Sequence, residues 1–189
     1  MQRYNAKIKA EIEDVLRNAL YGAITERDRC NTLFSEEALR YIVMKYLSDY
    51  KFFGRFPNLS NGQKRLVFEH PYKRLKTKEA TFKPDISSVL LSKNNSSNIE
   101  IDEYLLAVEL KIKNDVSDIK KCRNYISEKH GRTIFNLAVC VVLPPKSSIG
   151  GFDKIKKSEI TTRAKGNVLF CSTKKDEKGD EVIFLLWLN

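Results

Sequence analysis

Apolar residues recur at helical spacing over residues 5–29, where Ile8, Ile12, Val15, Leu16, Ala19 and Leu20 fall on one stripe. A 3.6-residue period predicts an amphipathic helix, with Lys7, Lys9, Glu11, Glu13 and Arg17 on its wet face. A second helix is predicted from Ser35, a good N-cap, with Glu36 and Glu37 in a first turn that favours acids. Its apolar stripe is Leu39, Ile42, Val43, Tyr46, Leu47 and Tyr50. Residues 51–64 carry Gly54, Pro57 and Asn61-Gly62 and read as a loop. Strands are predicted at 65–72, 86–91, 104–112, 133–143, 167–172 and 181–187, with the polar turn 92–98 joining the second and third. A third helix, 115–130, is predicted with Val116, Ile119, Cys122 and Ile126 inward, Tyr125 at the margin of that face, and Gly131 as its stop. Its lysines Lys120 and Lys121, with Arg123, are assigned to the outer side. Residues 152–165 read as weakly helical. No repeat or linker interrupts this order, so residues 1–189 read as a single domain with an added N-terminal helix for packing or dimerisation.

Two strands hold charges where apolar residues are expected. The run 104–112 is apolar on both faces except for Glu109 and Lys111. That pattern marks the middle of a sheet. Alternation along a strand puts Glu109 and Lys111 on one face, and a buried charge there needs a partner or a ligand. The preceding strand opens with Pro84-Asp85. An antiparallel hairpin sets Asp85, at the start of one strand, against Glu109, near the end of the next. Two carboxylates so placed suit a hard divalent cation, and a lysine beside them can steady a water or a phosphate oxygen.

Pro84-Asp85 followed by Glu109-Leu110-Lys111 resembles the signature of the PD-(D/E)xK nuclease superfamily, which has the restriction-endonuclease-like fold. The resemblance covers roughly residues 35–144 and rests on element order as well as on the motif. It implies an α/β core, a central mixed β-sheet flanked by α-helices, and a Mg²⁺- or Mn²⁺-dependent endonuclease that hydrolyses phosphodiester bonds, in DNA before RNA. By that resemblance Asp85 and Glu109 would ligate the metal, the backbone carbonyl of Leu110 would add a ligand, and Lys111 would assist the attacking water. The superfamily's auxiliary acid from the first core helix would be Glu36 or Glu37. Glu36 is favoured because it lies three residues before Leu39, and Glu69 is a further candidate. A homodimer would suit the cutting of two strands. Two alternatives stand beside this reading. One is a catalytically inactive nuclease-fold protein serving as a nucleic-acid-binding or assembly subunit. The other is an unrelated α/β interaction protein, in which Asp85 would not meet Glu109 and Lys111.

Charge bears on the partner. Lys and Arg number 34 against 24 Asp and Glu, a formal net charge of +10, and the isoelectric point is about 9.4. A basic balance favours a polyanion. The basic residues cluster just before Pro84, where Lys73, Arg74, Lys76, Lys78 and Lys83 are expected to contact nucleic acid, and the resemblance puts Lys120 of the third helix about one turn from the site as a further contact. Tyr72 and Phe82 are available to stack on bases. Cys30, Cys122, Cys140 and Cys171 form no Cys-x-x-Cys pair. With two histidines, His70 and His130, neither a zinc site nor a Cys–His nucleophile is expected. Phosphate-loop, dinucleotide and nucleophile-elbow motifs are all absent from the sequence. No apolar run approaches a membrane span, and residues 1–7 lack the apolar stretch of a signal peptide, so the expected compartment is the cytoplasm.

Overall fold

The structure, a computed structural model, describes residues 6–30, 34–49, 63–68, 84–93, 99–129, 132–133, 135–149 and 155–189. It is an α/β arrangement: a mixed sheet with helices on both faces. Helix α1 is Ala6–Cys30 and α2 is Glu36–Asp49. Strands β1 (Gln63–Phe68), β2 (Ile86–Lys93) and β3 (Ile99–Lys111) follow as an antiparallel meander. Helix α3 (Asp118–Ile126) then crosses to β6 (Leu137–Val142), which pairs parallel to β3. Between them β4 (Glu128–Lys129) and β5 (Arg132–Thr133) make a small separate hairpin. The chain closes with β7 (Ile160–Thr161), β8 (Val168–Lys175) and β9 (Glu181–Leu188). The seven-stranded sheet runs β1-β2-β3-β6-β8-β9-β7.

The alternation of side chains divides the core into two layers. Leu106, Val108 and Leu110 of β3, with Leu137, Val139 and Val141 of β6, face the stripes Ile12–Leu16–Ala19–Leu20–Ala23 of α1 and Leu39–Val43–Leu47 of α2. Ala107, Ala138, Cys140, Val142 and Phe170 face Ile119, Cys122 and Tyr125 of α3. Each fully buried Leu, Val or Ile contributes about 1.5–3 kcal/mol of transfer free energy. β6 is buried at all six positions, which is why it lies mid-sheet between two parallel neighbours. Cys122 and Cys140 are buried free thiols, as expected of core cysteines.

Local chemistry sets the helix ends. Ser35 caps α2: its Oγ accepts the Ala38 N–H at 3.2 Å and its carbonyl accepts the Leu39 N–H at 3.1 Å. Before α3, the carboxylate of Asp115 accepts the N–H and hydroxyl of Ser117 at 2.8 and 2.9 Å, a turn that launches the helix. The expected helix 115–130 is shorter at both ends. It ends at Ile126 because the Phe135 N–H reaches back to the Tyr125 carbonyl at 2.9 Å, and a tertiary bond takes the place of another helical turn. The expected strand 133–143 is correspondingly divided between β5 and β6. The weak helical reading of 152–165 is also corrected. Its described part holds a short 3₁₀ turn, Lys157–Glu159, followed by the edge strand β7.

The wet face assigned to α1 needs a larger correction. Lys9 is 2% exposed, and its ammonium donates to the Gly166 carbonyl and to Asn167 Oδ1 while lying 5.0 Å from the Trp187 ring centroid. Burial pushes its pKa down. Gly166 has no room for a side chain there, since a Cβ would meet Thr161 at 2.9 Å and Leu188 O at 3.1 Å. Glu13 accepts bonds from Trp187 Nε1 and from the Arg163 guanidinium. At the other end of α1, Arg27 is buried and grips Glu181 with two nitrogens while donating to the Pro144 carbonyl at 2.9 Å. Helix α1 is thus bolted to the last strands by buried polar contacts that its periodicity does not announce.

Truncating Arg27 to Met leaves Glu181, 10% exposed, without its cation. Chemical denaturation is expected to show a loss of roughly 3 kcal/mol or more. Lys146→Ala, which removes an exposed pair with Asp28, is expected to cost at most about 1 kcal/mol.

Candidate functional site

Register brings the motif together. Ile86 pairs with Val108 in the antiparallel β2–β3 ladder, so Asp85 comes level with Glu109 one step further on. Asp85 is not itself in the strand. Its side chain turns inward, and Oδ2 accepts the Leu110 N–H at 2.7 Å, extending the ladder by a side-chain bond. Its other oxygen accepts from the Arg40 guanidinium of α2 at 3.3 Å. A strand residue's N–H and C=O point the same way, so the Leu110 carbonyl also faces the β2 side, past the first β2–β3 pair.

Glu109 and Lys111 project from one face of β3, as alternation requires, and that face is roofed by α3. Glu109 is 2% exposed. Its Oε1 accepts the Tyr125 hydroxyl and its Oε2 accepts the Lys121 ammonium at 3.3 Å. Lys121 also pairs with Asp118 Oδ1 at 2.9 Å, and Lys111 pairs with Asp118 Oδ2 at 3.2 Å. Asp118 is itself buried, at 3% exposure.

The electrostatics follow from this crowding. Burial raises the Glu109 pKa to about 7; the Tyr125 bond opposes the rise and the charge of Asp85 adds to it. Burial likewise pushes the Tyr125 hydroxyl upward, and the adjacent Glu109 pushes it further, so it remains a donor. Burial alone would lower the Lys111 pKa, but the ion pair with Asp118 outweighs it and the net shift is upward. Lys121 is raised in the same way by Asp118 and Glu109. Both lysines therefore carry their protons at neutral pH.

Of the two auxiliary acids, the structure brings Glu36 towards the cluster. It is half-buried and its pKa is raised first by burial and then by Asp85, while Lys111 and Arg40 oppose the rise. Glu37 is exposed and held low by its own backbone N–H and by Ser35, which fits a helix-end role. Lys120 is exposed on α3; its neighbour Lys121, assigned from the sequence to the outer side, is the one that enters the site. Lys73, Arg74, Lys76, Lys78 and Lys83 lie outside the described residues, as do Glu69, Tyr72 and Phe82.

Four participants are given no place at the site by the sequence: Arg40, Asp118, Lys121 and Tyr125, the last read only as a marginal member of the helix's inner face. Arg40 follows Glu36 by one helical turn, so the two share a face. Asp118, Lys121 and Tyr125 recur at i, i+3 and i+7 on the stripe that also carries Cys122. A polar stripe on the buried face of a helix is the signal that would have found them.

Among the described residues, no three His, Cys, Asp or Glu side chains are grouped so as to hold a metal ion by themselves. Asp85 lies near enough for its charge to act on Glu109, and each carboxylate is paired with a cation of the chain, Arg40 on Asp85 and Lys121 on Glu109. Among the described residues no helix is long and apolar enough to cross a membrane. Comparisons of the chain with protein-family models, curated proteins and solved structures found no match.

The raised pKa of Glu109 has a stability consequence. Between the ordinary carboxyl value of 4.5 and about 7 the folded protein binds more protons here than the unfolded chain, so stability falls as pH rises through that window. Below pH 4.5 the cost is absent, and above pH 7 it is fully present, on the order of 3 kcal/mol. Glu109→Gln keeps an acceptor for Tyr125 without the charge. It is expected to raise the melting temperature at pH 8 and to lose that advantage by pH 5, as read by thermal denaturation across pH.

Proposed function

We propose that this protein is a divalent-metal-dependent nuclease with a restriction-endonuclease-like core, a Mg²⁺- or Mn²⁺-requiring endonuclease acting on DNA. The observation that carries the reading is the meeting of Asp85 with the Glu109–Lys111 strand, clasped by the bond from the Leu110 N–H to Asp85 Oδ2. The order of elements supports it: helix α2, the meander β1-β2-β3, helix α3, and β6 parallel to β3. An accidental pair of charges on a buried strand would have no reason to meet a third group at the neighbouring strand's start.

Asp85, Glu109 and the Leu110 carbonyl would hold the ion. All three offer hard oxygen donors, which suits Mg²⁺ or Mn²⁺ with water completing the shell. A cation bound there would neutralise Asp85 and Glu109, the repulsion that helps raise Glu109 to about 7. When bound, the ion supplies Lewis-acid activation of water and charge neutralisation at phosphate.

The protein's own groups would do the rest. Lys111 keeps its proton, so it acts as a hydrogen-bond donor and fixed charge facing the phosphate and the attacking water, rather than as a base. Tyr125 orients Glu109 through its hydroxyl. Glu36 would hold a water at the auxiliary position. Arg40 would exchange Asp85 for a phosphate oxygen, a task suited to its planar fork. The basic balance of the chain and the exposed Lys120 fit a polyanionic substrate.

A second reading is a catalytically inactive protein of the same fold that binds nucleic acid or serves in an assembly. The observation favouring it is that both carboxylates already carry a cation of the chain's own, Arg40 on Asp85 and Lys121 on Glu109. A site neutralised from within needs no metal to be stable.

Cleavage of plasmid, linear duplex and single-stranded DNA with Mg²⁺, Mn²⁺ or EDTA separates the two. The nuclease reading expects metal-dependent cutting that falls by at least about 100-fold in Asp85→Ala and Lys111→Ala, with fold and most DNA affinity kept. It also expects Mg²⁺ to raise the melting temperature at pH 8 in wild type and not in Asp85→Ala. Salt-sensitive DNA binding without cutting on any substrate, and without a Mg²⁺ shift, would establish the binding subunit instead.

A further inference from the structure

The nuclease reading leaves one buried charge unassigned. Asp118, the first residue of α3, is 3% exposed and lies between two ammonium groups, Lys111 at 3.2 Å on one oxygen and Lys121 at 2.9 Å on the other. The two lysines come from different elements, β3 and α3, and both keep a solvent-facing side, with 29% and 48% of their side chains exposed. One cation would be enough to balance one buried carboxylate. A carboxylate that takes two, from a strand and from a helix, fixes the spacing between them.

Resting on the nuclease reading of the same site, we propose that Asp118 is the positioning residue of this centre: its carboxylate ties Lys111 and Lys121 together as a fixed pair of donors for one phosphodiester group. A lysine ammonium is a point charge on four rotatable carbons, and left alone it samples many rotamers. Holding it before substrate arrives moves that ordering cost into folding. The turn that starts α3, with Asp115 accepting from Ser117, sets where the Asp118 carboxylate stands. Lys121 completes the link by reaching Glu109 at 3.3 Å, so the pair is tied to the carboxylate proposed to bind the ion. Asp118 itself touches neither substrate nor ion in this scheme; it acts through the two lysines.

The test compares wild type with Asp118→Asn and Asp118→Glu. Asp118→Asn keeps the shape and loses the charge. It is expected to lower kcat on the order of 10- to 100-fold while KM for DNA stays within about twofold, and Asp118→Glu is expected to recover part of kcat. A purely structural role would instead lower the melting temperature and leave the kcat of the folded fraction intact, which would overturn the proposal. A double-mutant cycle of Asp118→Asn with Lys111→Met, read by urea denaturation, needs no substrate. The proposal expects the two destabilisations to be non-additive. Additive values would overturn it whatever the activity. A wild-type protein that cuts no nucleic acid with Mg²⁺ or Mn²⁺ would overturn the nuclease reading itself, and the cycle keeps that failure distinct from a failure of the Asp118–Lys111 link.

Discussion

A carboxylate buried in the middle strand of the sheet is the constraint to which the rest of this molecule answers. Glu109 sits in β3 with apolar neighbours before and after it, at 2% exposure, where an ionised group is costly. Its surroundings are built to bear that cost. Tyr125 and Lys121 bond its two oxygens from α3, and Asp118 anchors Lys121 in turn. Helix α3 therefore has two tasks: it covers the sheet with Ile119 and Cys122, and it delivers polar groups to one point on that sheet. The raised pKa of Glu109 is the residue of a cost that its partners only partly offset. A fold selected for stability alone would have an apolar residue there.

The site straddles the two layers of the core. Arg40 and Glu36 approach Asp85 from α2, while Lys111, Lys121, Asp118 and Tyr125 lie on the α3 face. Asp85 stands just before β2 begins, bonded to Arg40 of α2 and to the Leu110 N–H of β3, and its charge acts on Glu109 of the other layer. The ends of adjacent strands are where a rigid scaffold most readily presents groups from several elements to one ligand. Helix α1 supports this at a distance. Its buried contacts through Lys9, Glu13 and Arg27 join it to residues 144–187, leaving α2 backed by a firmly held neighbour.

Charges within the cluster nearly cancel. Four carboxylates, Glu36, Asp85, Glu109 and Asp118, are set among three cations, Arg40, Lys111 and Lys121. With all four carboxylates ionised the cluster would carry one net negative charge, and under the proposed nuclease function that charge would favour a divalent cation at Asp85 and Glu109. That balance is why the catalytic and the inactive readings share one geometry. They differ in whether Asp85 and Glu109 have only Arg40 and Lys121 as counter-charges or also take an ion.

The elements and the motif are written in local pattern. The apolar stripes of α1 and α2, the Ser35 cap, the buried run of β6 and the strand phase that puts Glu109 and Lys111 on one face are all local periodicities, which the chain carries wherever it folds. The hairpin register that sets Asp85 against Glu109 was legible because the Pro-Asp start and the Glu-x-Lys end fix both limits of the turn. Tertiary structure decided which polar residues are spent inside. Lys9 and Glu13 fall on the expected wet face of α1, yet the packing of that helix against Gly166, Asn167 and Trp187 buries or part-buries them. Arg27 is likewise drawn inside by Glu181 and the Pro144 carbonyl, both more than a hundred residues away. The physical reason is common to these cases: a polar side chain's partner lies far away in sequence, and no local pattern encodes which distant group will satisfy it.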